Sequence, residues 1–204
     1  MKLEESREGG FEDRRGPKML KLVGAGDEAL RQKCRKLTEE EVRSEVIQSL
    51  IDDIKFTCDE NEYGVGLSAN QVGESMAISV IAIKPTLVRP NRKVFEKVLV
   101  NAEIVETYGE PKLMWEGCVS TAQDENGEPA MAQVMRFKKV KVKYLDRGGE
   151  ECEEVVSGFV AHVLQHEVDH LEGKLFTDFI EKGSLVSNKE YRAMIAARKD
   201  ENEG

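Results

Sequence analysis

One stretch of this chain constrains the rest of the fold more than any other. From Gly158 to Leu171 the sequence GFVAHVLQHEVDHL follows an apolar helical pattern, with Ser157 placed to cap its start and Gly173 to end it. Set into that pattern are Gln165, His166, Glu167, Asp169 and His170. A polar group buried without a partner costs roughly 2–7 kcal/mol, so a chain that buries this helix must employ all five. The bland alternative is a buried helix whose polar side chains are simply hydrogen-bonded.

All three histidines of the chain lie within residues 162–170. Residues four apart on a helix differ by about 40° and about 6 Å of rise, so His166 and His170 can aim at one point. With Glu167 between them they form the His-Glu-x-x-His arrangement that holds a divalent metal. Glu167 flanks that point without facing it, which suits a general base acting on a water at the metal. His162 starts roughly 12 Å up the axis from His170, too far to share a metal with it on one helix. A third ligand must come from elsewhere. In the extended metzincin motif it is a third histidine further along, but Phe176 stands in that place.

The whole chain has 204 residues, 40% of them hydrophobic, enough for one core and one domain. Its net charge of −9 argues against general binding to DNA or to anionic membranes. No apolar run is long enough to span a bilayer. Residues 1–18 are polar and lack a signal-peptide core, and are expected to form a mobile tail. Cys34, Cys58, Cys118 and Cys152 are scattered with no Cys-x-x-Cys pair, so a reduced cytoplasmic setting is expected.

Between Glu39 and Thr57 the residues Val42, Val46, Ile47, Leu50, Ile51 and Ile54 recur at helical spacing and predict one helix. Met76 to Ile83 and Val98 to Val105 read as strands. Lys139 to Leu145 alternates, with Val140, Val142 and Tyr144 on one side and three lysines on the other, a half-buried strand with a solvated face. Arg147-Gly148-Gly149 reads as a hairpin turn into a strand from Glu150 to Val156. Ser187 or Asn188 would cap a last basic helix running to about Arg198. Strands before the main helix give an α+β class: mixed, largely antiparallel β-sheets around a central metal-binding helix, with a C-terminal helix. Residues 19–183 would form the catalytic domain and 184–204 the C-terminal helix and tail.

Two further segments bear on the chemistry. Trp115-Glu116-Gly117-Cys118-Val119-Ser120 holds a cysteine that could ligate a metal or sit in a core. Gly64-Val65-Gly66-Leu67-Ser68-Ala69-Asn70-Gln71 has the glycines of a dinucleotide fingerprint, but it follows a helix and a polar loop, and no acidic residue ends the next strand near Lys84. Its glycines suit close approach of a ligand to the backbone.

Taken together and in order, Gly64 to Gln71, Glu116 to Ser120 and Gln165 to His170 resemble the three signature motifs of peptide deformylases. Asn101-Ala102-Glu103-Ile104 and Leu171-x-Gly173-x-Leu175-Phe176 add to the likeness, which covers about Met19 to Ile180. The resemblance implies a hydrolase that removes the formyl group from the N-terminal formyl-methionine of newly made peptides. It implies that Cys118, His166 and His170 bind one metal, Fe2+ in the cell with Zn2+ or Ni2+ able to substitute, and that Glu167 is the general base and acid. Gln71 and the Val119 N–H would bind the oxyanion. Gly66 would pair with the peptide backbone, and Val65, Met114, Phe159, His162 and Val163 would line the methionine pocket, flanked by Glu116. Arg136 is the expected partner of Asp169. The formylated nascent peptide is the implied partner. Lys189, Arg192, Arg198 and Lys199 suggest a contact with the ribosome, or an ordinary solvated helix.

The chain also departs from the family pattern. Ser68 replaces the usual alanine, Ala102 and Met135 stand where prolines are common, His162 is atypical, and the connection from Thr121 to Met135 is several residues longer. Two other readings stay open at this level: a different Cys/His2 metallohydrolase such as a small peptidase or amidase, and a noncatalytic module stapled by its metal.

Overall fold

The computed structural model of the protein describes residues 16–61, 64–85 and 92–203, with side chains as far as residue 197. Of the tail expected over residues 1–18, only 16–18 fall among them. The helices are α1 (Glu39–Arg43), α2 (Glu45–Glu60), α3 (Gly158–Leu171) and α4 (Asn188–Glu203). The strands are β1 (Gly66–Ser68), β2 (Ile78–Ile83), β3 (Phe95–Tyr108), β4 (Lys112–Glu116), β5 (Ala132–Arg136), β6 (Lys139–Leu145) and β7 (Glu151–Ser157). One sheet runs β1-β2-β3-β6-β7 and a second pairs β4 with β5, all antiparallel, which is the expected α+β class.

Strand β2 shows how the layers form. Its sequence ISVIAI is buried throughout, because a helix covers each face of the sheet. Period two sends Ile78, Val80 and Ala82 against Ile47, Ile51 and Ile54 of α2. The same alternation sends Ile81 and Ile83 toward Ala161, Val163 and Leu164 of α3. Ser79, the one polar residue of β2, falls on the α3 side. On neighbouring β1, Gly66 pairs with Ile81 and Ser68 with Ser79, so those two residues also face α3 while Leu67 joins the α2 side.

The single helix expected from Glu39 to Thr57 is two helices. A reciprocal cap between Thr38 and Glu41 starts α1. Ser44 then adopts an extended conformation, donates its hydroxyl to the Glu41 carbonyl at 2.6 Å and caps α2 through the Ile47 N–H. A serine that bonds backbone on both sides competes with helix continuation. The break turns Val46 outward, where it is 77% exposed, and leaves Ile47, Ile51, Ile54 and Cys58 as the buried face.

β3 carries a second irregularity. Asn101 has a positive φ of 56° at a register shift against β6, and its amide bonds both backbone groups of Leu37, at 2.9 and 2.7 Å. Further along the chain, Ser157 holds the cap position of α3 without a side-chain hydrogen bond. Gly173 ends α3 as expected, with φ at +71°, where the Lys174 N–H returns to the Asp169 carbonyl at 2.9 Å. At α4 the reciprocal bonds of Ser187 and Glu190 select Ser187 as the cap. Within the segment from Thr121 to Met135, residues from Ala132 onward pair with β4 as β5.

Candidate metal centre

The centre arises where the end of β4 meets the buried face of α3. Cys118 follows β4 by two residues, and its sulfur lies 3.3 Å from His170 Nε2. The rings of His166 and His170, one helical turn apart, stand 4.9 Å apart at 80°. The sulfur and one nitrogen from each ring lie within 4.8 Å of one another, and these three residues form the one such group among the described residues. A thiol and two imidazoles suit a transition metal or zinc and not Ca2+ or Mg2+, which prefer oxygen. Three protein ligands leave a coordination position open, as in catalytic sites.

His162 takes a different task, as its position on the helix foretells. It and His166 both bond the Glu116 carboxylate, His162 Nε2 to Oε1 at 2.8 Å and His166 Nδ1 to Oε2 at 2.9 Å. Arg136 bonds both oxygens of the same carboxylate, at 2.6 and 3.0 Å, and turns its remaining nitrogen to Asp169 at 2.6 Å. Bonding Nδ1 of His166 leaves Nε2 free to face the sulfur, the usual way a carboxylate orients a metal-binding imidazole. Burial opposes charge on Glu116, but the bonds from His162, His166 and Arg136 overcome it and hold the carboxyl far below the ordinary carboxylate range. Burial likewise opposes charge on His166. The pull of Cys118 and Glu116 nevertheless raises it well above its ordinary value, whereas burial and the charge of His166 push His170 well below.

Glu167 points to the other side of α3, onto β1. Its Oε2 accepts the Ser68 hydroxyl at 2.7 Å, and Ser68 in turn lies 2.7 Å from the Ser79 hydroxyl. The carboxylate rests directly on Gly66, where a Cβ would stand 2.4 Å from Oε1. Burial raises its pKa, moderated by the charge of His166 and the bond from Ser68. Ser68, a departure from the family pattern to which the sequence attached no role, therefore bonds this acid.

Gln71 is oriented by the backbone three residues before it. Its Oε1 accepts the Ser68 N–H at 2.8 Å, which turns Nε2 toward Cys118 Sγ at 3.5 Å and Ser120 Oγ at 3.3 Å. Asn70 ties the same turn to α3 by donating to the His170 carbonyl at 2.6 Å. A cleft of about 550 Å³ opens over these groups. Val65, Gly66, Gln71, Glu116, Val119, Phe159, His162 and Val163 all line it, and Met114 does not. Met114 shares the face of Glu116 on β4 but lies about 6.6 Å further up the strand. Trp115, Met131, Tyr191 and Ile195 also line the cleft, and no sequence signal marks them, because Tyr191 and Ile195 of α4 and the distant β4 and its connection meet only in the folded chain.

The sequence profile of the polypeptide deformylase family matches residues 19–185. Peptide deformylase 3 of Shewanella oneidensis is 39% identical over 79% of this chain and 89% of its own length. The Aquifex aeolicus peptide deformylase is 39% identical over 81% of this chain and 92% of its own. Among solved structures, the Met-Ala-Ser-bound class I type b enzyme of Acinetobacter baumannii superposes with a TM-score of 0.72 at 36% identity, covering 79% of this chain and 98% of that one. A Legionella pneumophila peptide deformylase does so with a TM-score of 0.65 at 35% identity, over 91% of this chain and 96% of that one.

Proposed function

This chain belongs to the polypeptide deformylase family, and from that premise we propose how its own residues divide the reaction. The reaction is hydrolysis of the formyl amide on the N-terminal methionine of new peptides, with release of formate. Cys118, His166 and His170 would hold one divalent ion, which we assign as Fe2+ with Zn2+ or Ni2+ able to replace it. When bound, that ion supplies acidity to a water and polarises the formyl carbonyl.

Glu167 takes a proton from the attacking water at its carboxylate and returns it to the departing amine nitrogen. A carboxyl raised by burial is better matched to that exchange near neutral pH than an ordinary one. Gln71 Nε2 and the Val119 N–H donate to the negative charge that grows on the formyl oxygen. One such donor is commonly worth about 10² to 10³ in rate.

The peptide lies extended along β1, at the edge of its sheet, with its backbone against Gly66. Its methionine side chain packs against Val65, Phe159, His162 and Val163. The observation that carries this reading is the convergence of one sulfur and two imidazole nitrogens within 4.8 Å, beside a buried acid and an amide nitrogen turned toward the same sulfur.

Among the described residues no helix is long and apolar enough to cross a membrane, and we assign the enzyme to the cytoplasm. Co-sedimentation with ribosomes, with and without residues 187–204, tests the docking suggested by Lys189, Arg192, Arg198 and Lys199. The central test is formate release from formyl-Met-Ala-Ser by protein loaded with Fe2+ under anaerobic conditions. Cleavage of internal peptide bonds without formate would sink the proposal.

A further inference from the structure

Strand β2 is aliphatic except for Ser79, which is only 1% exposed. A hydroxyl buried in such a place is costly unless it is hydrogen-bonded. The register of β1 on β2 sets Ser68 directly beside it, and the two hydroxyl oxygens lie 2.7 Å apart. Ser68 is itself fully buried and reaches Glu167 Oε2 at 2.7 Å. In its ionised form, the one that takes a proton, the Glu167 carboxylate can only accept. The Ser68 proton therefore goes to Glu167, and Ser79 is the donor to Ser68. The chain of hydroxyls runs one way, from Ser79 through Ser68 to the acid, and each bond polarises the next.

A glutamate side chain is long and rich in rotamers, and Glu167 lines the cleft, so one side of it is open. The Ser68 hydroxyl fastens Oε2 on the sheet side, while Oε1 lies against Gly66, another residue of the cleft wall. Ser79 fixes that hydroxyl in turn. Released from Ser79, Ser68 has a second acceptor within reach, the Glu167 carbonyl at 3.4 Å. Ser68 also meets the other side of the chemistry, because its backbone N–H holds Gln71 Oε1 at 2.8 Å. Any residue but proline at this place supplies that N–H, whereas the bond to Glu167 needs the side-chain hydroxyl. Both serines are closed off from solvent, so they hold the carboxylate and do not carry its proton away.

We propose that Ser68, backed by Ser79, is a positioning residue for Glu167 and holds its carboxylate at the angle from which it exchanges a proton with the attacking water. The inference rests on the deformylase reading. It adds a device that the usual family pattern lacks, since the alanine common at this place offers no hydroxyl.

The test uses the full-length, metal-loaded protein and formate release from formyl-Met-Ala-Ser. Ser68→Ala restores the usual family residue, so the fold should accept it, and it keeps the N–H that holds Gln71. It should lower kcat about ten- to a hundredfold, the effect of losing a bond to a charged group, with KM and metal content unchanged. Ser79→Ala leaves the first hydroxyl in place but unanchored and should lower kcat by less. In a Glu167→Ala background, Ser68→Ala should lower turnover no further, because the group it positions is gone. A serine that only supported the fold would lower it again. Circular dichroism identifies a variant that has lost its fold, and if Ser68→Ala is one, Ser79→Ala carries the same comparisons. A kcat near that of the wild type in the folded variant, or an equal further loss in the Glu167→Ala background, overturns the proposal. No formate from the wild type overturns the deformylase reading beneath it.

Discussion

Replacing Gly66 by alanine would place a methyl carbon 2.4 Å from Glu167 Oε1 and 2.8 Å from its Cδ. The backbone itself tolerates alanine, because Gly66 has no positive φ and lies in a strand. The strain therefore falls on the acid. To regain ordinary contact at 3.4 Å the carboxylate must retreat by about 1 Å. Glu167 is only 3% exposed, and its one open side is the cleft it lines, away from Ser68. A retreat of that size stretches its 2.7 Å bond from Ser68 beyond hydrogen-bonding range.

Losing a hydrogen bond to a charged group costs about 1.5–3 kcal/mol, and an error of about 1 Å at a reacting group lowers rate by about 10²-fold. Gly66→Ala should therefore lower kcat roughly a hundredfold and bring the thermal midpoint down by about 3–12 °C at about 2–4 °C per kcal/mol. It should retain its metal, since none of the three ligands is touched. Steady-state formate release, metal analysis and a melting curve read all three. A variant with kcat near wild type and only a raised KM would refute the reasoning and assign the glycine to substrate approach alone.

Glu167→Ala should lose about 10² to 10⁴ in turnover while binding metal normally, whereas Cys118→Ser should release metal to a chelator far more readily; rate and metal content measured on the same samples separate the two. Arg136→Leu strands Glu116 and Asp169 without their cation. It should destabilise the fold by about 3–5 kcal/mol in urea titration and weaken metal binding about 10- to 100-fold. Burial raises Cys34 to about 11 and Cys58 to about 12. A raised thiol pKa keeps the sulfur protonated to higher pH, so at pH 8 a thiol reagent should leave both unmodified in the folded protein and modify the half-exposed Cys152.

Much of the scaffold was legible because it depends on local pattern. The alternation of Val140, Val142 and Tyr144 gave β6, and Ser157 and Gly173 bracketed α3 to within a residue. The break at Ser44 was less legible, since Val46 continues the apolar spacing while the serine hydroxyl competes for the backbone. His162 shows the value of helical geometry. Its distance from His170 removed it from the ligand set, and in the fold it bonds Glu116.

By itself the sequence determined that a polar-studded helix must sit at the centre, that His166 and His170 share a point, and that Glu167 flanks it. Those are relations between residues a few positions apart, set by helical pitch. Tertiary structure alone decided what depends on chain segments far apart in sequence. Glu116 binds two histidines and an arginine at once, and Ser79 and Gly66 lie where Glu167 comes to rest because β1 and β2 pair beneath α3. α4 likewise reached the cleft through Asp124, Pro129 and Trp115. No periodicity along the chain encodes such contacts, which form when separate elements are packed together in three dimensions.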